Sequence, residues 1–206
     1  MRMDVRHNFG DVGKRLDALR EDLRNVATVR ALNKVVEGAR GRMATEVSAE
    51  YRITKREANE NLRTEKASAK AGKFFMSARL FAPSRKKGRG FNMIRFVVGA
   101  KIKGGWGKRQ LKIQVKRSGF KAQYTGAFIG NGGRTVFARI DGAAKVKAES
   151  GAHVGKWRQP IKSVTTVDVP QMFNTKRVNK RVRDYIAQRA PIVLQQEINF
   201  VTRKRK

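Results

Sequence analysis

Phe9, Val12, Leu16, Leu19, Leu23 and Val26 recur at spacings of three and four, which predicts an amphipathic helix. Its apolar stripe can pack on the chain's own core or form a seam against a neighbouring copy. A second helix is expected from Thr28, a residue type suited to an N-cap, with Leu32, Val35, Val36, Ala39, Met43 and Val47 turned inward. Gly38 and Gly41 on that helix either allow close helix approach or weaken it. Thr54 and Glu57 have capping-box spacing ahead of a short polar helix whose apolar spine is Ala58 and Leu62.

The period changes after Ala67. Phe74-Phe75-Met76 and Arg79-Leu80-Phe81 read as strand, ended by Pro83, and Met93 to Ala100 reads as another. Leu111, Ile113 and Val115 alternate with Lys112, Gln114 and Lys116, the pattern of a half-buried strand with a basic outer face. Between them lie two glycine-rich basic loops, Ser84 to Gly90 and Lys103 to Lys108. The strongest β signal is Tyr124 to Ile140, where two β-rich runs flank Asn131-Gly132-Gly133. A three-residue loop with Gly133 in the left-handed region would pair Phe128 with Val136 and Tyr124 with Ile140. Asp141 to Pro160 lacks periodicity and reads as a long loop, a feature that is generally functional or disordered. Its apolar residues Val146, Val154 and Trp157 are candidate partner contacts. Ile161 to Val169 reads as one more strand, closed by Pro170-Gln171-Met172.

The last segment carries Val178, Val182, Ile186, Val193, Leu194, Ile198 and Val201 at helical spacing. Pro191 lies inside it and costs about 3 kcal/mol in a helix interior, so a kink or restart is expected near Ala190. Together these elements predict an α+β fold. N-terminal helices over 1–65 and a long C-terminal helix over 171–206 pack on a twisted antiparallel sheet of about five strands within 66–170, in a single domain.

Charge sharpens the picture. The chain of 206 residues has a net charge of +32, and it is uneven. Residues 1–65 hold 14 Lys and Arg against 11 Asp and Glu, whereas residues 66–206 hold 34 against 5. A one-sided charge of this size repels itself and calls for an acidic partner: nucleic acid, an acidic protein or a membrane surface. No apolar run approaches the length of a membrane span, and no leader-like apolar segment follows Met1, so an origin inside the cell is expected. With no cysteine there are no disulfides or thiolate metal sites.

Candidate chemistry is sparse. His7 and His153 have no ligand-like neighbours, and the acids after residue 65 are scattered, so neither catalysis, a metal nor a cofactor is expected. Gly104-Gly-Trp-Gly-Lys108 lacks phosphate-loop spacing. The basic loops supply candidate DNA contacts in Arg85, Lys86, Lys87 and Arg89, and in Lys101, Lys103, Lys108 and Arg109. Phe91, Trp106 and Phe120 sit beside cations and either stack on bases or belong to the sheet.

Several pieces together resemble the phage and prophage minor tail protein Z family, also called tail completion proteins. They are Ala31-Leu-Asn33, Ala39-Arg-Gly-Arg-Met-Ala44, Tyr51-Arg-Ile-Thr-Lys55, Gly126-Ala-Phe-Ile129 and Thr135-Val-Phe-Ala-Arg139. The most specific is Pro160-Ile161 followed by Val169-Pro-Gln-Met172. Asp168 stands where the family has serine and Gln159 where it has leucine. The resemblance spans roughly residues 28–175. It implies a non-enzymatic virion protein of a tailed phage, made in the host bacterial cytoplasm. The subunit would form or join a ring at the head–tail junction, or neck. Its partners would be other copies, the connector, the tail terminator and DNA passing through the lumen, with no membrane. Pro170, Gln171 and Met172 are then partner-contact candidates. A non-specific nucleic-acid-binding protein of the phage or bacterial cytoplasm is the alternative, and a ribosome-like RNA binder a third reading.

Overall fold

The computed structural model describes residues 2–4, 21–70, 73–75, 77–83, 90–103, 108–149 and 154–203. The chain is α+β and divides into two compact units: Met1–Ser84 with Val169–Lys206, and Arg85–Asp168.

In the first unit, α1 (Glu21–Glu50) and α4 (Lys176–Arg203) pack along each other. All six residues expected to face inward on α1, from Leu32 to Val47, are buried, and so are all seven on α4. The residues expected to form an earlier helix lie, up to residue 20, outside the described residues. The helix break expected at Thr28 does not occur. Residues 21–50 are one helix, and the Thr28 hydroxyl donates to the Arg24 carbonyl four residues back (2.8 Å). Threonine tolerates a helix interior in this way, so its side chain need not cap anything. Pro191 likewise leaves α4 unbroken. Ile186 and Ala190 before it, and Val193 and Leu194 after it, are all buried. Their packing outweighs the local cost of the missing backbone bond.

Two buried carboxylates lock this helix pair. Glu197 receives Arg30 (2.6 Å) and Lys34, and Glu46 receives Arg42 and Arg181 (2.7 Å each). An early α1 residue thus meets a late α4 residue and the reverse, so the helices run antiparallel. Between the two clamps a Cβ on Gly38 would come within 2.7 Å of the Tyr185 hydroxyl, so this glycine permits close approach. Gly41 has nothing within 4 Å and plays no such part. Tyr51 and Thr175 share a hydroxyl hydrogen bond (2.6 Å) that ties the end of α1 to the start of α4.

The short helix α2 (Lys55–Glu60) begins as its sequence predicts. The Thr54 hydroxyl accepts from the Glu57 N–H (3.2 Å), and the Glu57 carboxylate accepts from the Thr54 N–H (3.0 Å). Ala58 and Leu62 are fully buried. Thr54→Ala is expected to lower stability by about 1 kcal/mol, measured by denaturant titration. Beyond it lie β2 (Arg63–Glu65), β3 (Ser68–Lys70), β4 (Lys73–Phe75) and β5 (Arg79–Phe81). With β1 (Arg2–Asp4) they form the small sheets β1-β5-β2 and β3-β4. Asn33 on α1 holds the Ala67 backbone by both its N–H (2.8 Å) and its carbonyl (3.1 Å), fixing this region to the helix. Val169 and Pro170, expected to end a strand, instead open α3 (Val169–Phe173). Proline suits a first helical turn because no intrahelical N–H bond is lost there.

The second unit holds β6 (Val97–Lys103), β7 (Lys108–Ile113), β8 (Ala122–Thr125), β9 (Ala127–Gly130), β10 (Thr135–Arg139), β11 (Val146–Lys147), β12 (Trp157–Arg158) and β13 (Ile161–Ser163). Its sheets are β6-β7-β8, β13-β10-β9 and β11-β12. The β structure of the chain is thus spread over several small antiparallel sheets rather than gathered in one. Met93–Phe96, expected as strand, is a 3-10 turn. The Asn92 carboxamide accepts the Ile94 N–H (3.0 Å), and the turn puts Met93 and Phe96 together in the core. Its oxygen also accepts the Val136 N–H (3.1 Å), joining the turn to β10. The strand alternation ends at Ile113. Gln114 turns inward and donates to the Arg117 and Gly119 carbonyls.

The hairpin forms, but one residue out of the expected register. Phe128 pairs with Phe137 and Ile129 with Val136. Asn131 joins Gly132 and Gly133 at positive φ (53°, 60° and 85°), and the Arg134 N–H closes a turn on the Asn131 carbonyl. The connection therefore takes four residues, and the extra one shifts the pairing. Tyr124 leaves this hairpin altogether. Gly126, at φ 83°, breaks the strand, and Tyr124 pairs with Leu111.

Candidate interaction surface

Within the stretch expected as a long loop, residues 141–149 and 154–160 form a two-stranded arm. Past the β10–β13 pair Arg139↔Ile161, the Ile140 N–H donates to the Pro160 carbonyl (3.0 Å) and Gln159 Nε2 to the Ile140 carbonyl (3.1 Å). A turn through Gly142 (φ 74°), where the Ala143 N–H reaches the Ile140 carbonyl, then places extra residues in the outgoing strand. Pairing resumes as Val146↔Arg158 and Lys147↔Trp157, and continues through Ala148 and Lys156 (3.1 Å). Gln159 stands where the resembled family has leucine, and its carboxamide holds the root of the arm.

Cross-strand partners share a face. One face of the arm therefore carries Val146 and Arg158, the other Lys147 and Trp157. Val146, Val154 and Trp157 are 50%, 62% and 63% exposed, and Ile161 at the root is 49% exposed. The Lys147 ammonium lies 5.6 Å from the Trp157 ring centroid. Beside the root, an open groove is lined by Tyr124, Arg139, Asp141 and Lys162. Among the described residues, no ion pair involves Arg139, Lys145, Lys156, Arg158 or Lys162.

The other expected contact residues separate. Arg85, Lys86, Lys87, Arg89, Trp106, His7 and His153 lie outside the described residues. The backbone pairs Lys103 with Lys108 and Ile102 with Arg109, and places Lys101 opposite Gln110, so those four positions lie at the turn end of the β6–β7 hairpin. Met172 is fully buried, Pro170 is half-buried and Gln171 is exposed. Phe91 is buried, whereas Phe120 is 89% exposed on the turn before β8. Sequence reasoning missed Tyr124, Ile161 and Lys162 as surface residues. Val26, expected on the first apolar stripe, is 46% exposed, and sequence reasoning also missed Ile192 and Phe200 on α4, which are about half exposed. Their signal was present as apolar positions off the α4 stripe.

Among the described residues, no three His, Asp or Glu side chains gather as a metal site, and no helix is long and apolar enough to cross a membrane. The family model described as prophage minor tail protein Z (GPZ) matches residues 13–205. No curated protein and no solved structure matches the chain. The chain belongs to the prophage minor tail protein Z family, and is in that sense a phage minor tail protein.

Proposed function

We propose that this minor tail protein is a tail completion subunit, forming or joining a ring at the head–tail junction of the virion, through which DNA passes. The observation that carries the reading is the family match across nearly the whole chain. A ring needs a heterologous interface that closes, built from two different patches of one subunit. The exposed Val26, Ile192 and Phe200 on the helix pair supply apolar material for one such patch. Connector and tail terminator are the neighbouring partners. The role is structural, without a catalytic step.

The charge of +32 serves two targets unequally. Each phosphate neutralised strengthens binding by releasing counterions, so a lumen lined with all of it would clamp DNA and oppose ejection. Most Lys and Arg therefore face acidic protein neighbours, where complementary potentials guide docking. A minority, at Arg85–Arg89 and Lys101–Arg109, touches DNA non-specifically. Replacing Arg85, Lys86, Lys87 and Arg89 together with Gln is expected to leave heads joined to tails while DNA delivery falls. Loss of joining with the subunit still folded would make that loop a protein-docking element.

The function itself is tested by complementation. A phage lacking this gene is expected to accumulate separate heads and tails, and the supplied protein to restore joined particles. Normal joining without the protein would overturn the reading.

A further inference from the structure

We propose that the two strands of the arm, residues 139–149 and 154–161, are a nucleic-acid contact: their cations meet phosphates, and Trp157 packs on a base or sugar surface. This deepens the reading that DNA passes the subunit and rests on it for the identity of the strand.

The second unit carries 20 Lys and Arg against 3 Asp and Glu over Arg85–Asp168. Its own acids cannot neutralise that charge. In the arm the imbalance is local, with Arg139, Lys145, Lys147, Lys156 and Arg158 against the two carboxylates of Asp141, at the root, and Glu149. Lys162 and Arg139 extend the cationic track into the groove at the root, where Tyr124 offers a second exposed ring.

The choice between nucleic acid and protein follows from how the side chains are distributed. The buried centre of a protein interface is depleted in lysine and keeps its charges at the rim. Here each face of the arm puts a cation directly across from an apolar residue, Arg158 from Val146 and Lys147 from Trp157. No purely apolar face is left for a protein partner to cover. A second copy of this chain brings the same strongly positive charge and would repel the arm. A nucleic-acid strand offers what both residue types need, phosphates at regular spacing and flat apolar rings between them. A two-stranded ribbon also fits the width of a duplex major groove. A ribbon this short is marginal in water, so binding would further stabilise its pairing.

The test uses the full chain and two labelled probes of arbitrary sequence, a short duplex and an oligo-dT strand, with affinity measured across a salt titration. The arm variant replaces Lys145, Lys147, Lys156 and Arg158 with Gln. A charge-matched control replaces Lys176, Arg177, Lys180 and Arg183, exposed on α4, with Gln. The arm variant should reduce the slope of log K against log salt by roughly 3, and the control by about 1 or less. Trp157→Ala should weaken oligo-dT binding roughly tenfold or more, by loss of stacking. These side chains are exposed, so an unchanged denaturation midpoint should confirm that each variant is folded. Equal slope changes in arm and control variants, together with an unaffected Trp157→Ala, would overturn the proposal. Arm-dependent binding of a purified connector or tail terminator with unchanged nucleic-acid slopes would also overturn it and make the arm a protein-docking element. Ring formation is read separately. A chain that forms no ring but binds DNA through the arm keeps this inference and loses the ring.

Discussion

Gly90→Ala should disrupt the packing of the second unit, with a loss of about 3 kcal/mol or more. Residues 90–93 are laced to 164–167. Thr166 donates its N–H to the Phe91 carbonyl (2.8 Å), Met93 donates to the Val164 carbonyl (3.0 Å), and Asn92 bridges to Thr165. A Cβ on Gly90 would fall 1.5 Å from the Thr166 carbonyl oxygen. That atom is backbone and cannot swing aside, so the two segments must part and these bonds go with them. Gly41→Ala is the contrast. Its Cβ meets nothing within 4 Å, and alanine in a helix interior is worth about 1 kcal/mol over glycine, so the same substitution should stabilise there. Denaturant titration of both variants checks the pair. If Gly90→Ala cost less than Gly38→Ala, where only the movable end of Tyr185 is in the way, the close backbone approach at 90 would be wrong.

The double substitution Arg30→Ala with Lys34→Ala should cost about 3 kcal/mol at neutral pH. Its side chain is only 2% exposed, so Glu197 would become a buried carboxylate with neither cation. The cost stays at the low end because both cations are half-exposed and solvent already screens them. Arg30 also covers the Phe200 ring at 4.6 Å, a contact that is lost as well. Burial alone pushes the Glu197 carboxyl up, but the hydrogen bonds and charges of Arg30 and Lys34 outweigh it and hold it below the ordinary value of 4.5. With the folded value depressed, this clamp stabilises the fold above the unfolded carboxylate range. That contribution is lost as pH falls through the folded value. In the double variant only burial remains, the sign reverses, and protonation relieves the carboxylate. The stability gap between the two proteins should therefore narrow as pH is lowered from neutral into the carboxylate range. A gap constant across that range would contradict the clamp. Glu197→Gln should lose the acid-dependent part while costing less, because the two cations it leaves can take up water.

The helix pair was legible because its evidence is local. Spacings of three and four mark the buried faces of α1 and α4, and Thr54 with Glu57 marks the start of α2. What spoiled local reading was tertiary support. Pro191 and Thr28 look like boundaries, yet buried neighbours on either side carry the helix through. Glu46 with Arg42 is visible as a pair one turn apart. Arg30 with Glu197 spans 167 residues and no pattern announces it. The hairpin register depended on Asn131 taking a positive φ beside two glycines, a choice that single residue types leave open. The arm was hidden for a related reason. Its pairing is held at the root by Gln159, interrupted by the Gly142 turn and resumed at Val146 and Arg158, so the two strands fall out of step and show no alternation. The resemblance to a tail protein family was legible from scattered short pieces, whereas the arm's mixed faces emerged only once the strands were paired.

A ring-forming or ring-joining tail subunit has a shape that imaging can see. Negative-stain imaging of the purified protein, alone and mixed with tails and connector, tests this role most directly. Rings of the protein, or a ring-shaped cap at the end of the tail, are expected. Isolated subunits under every condition, with tail ends unchanged, would contradict this role.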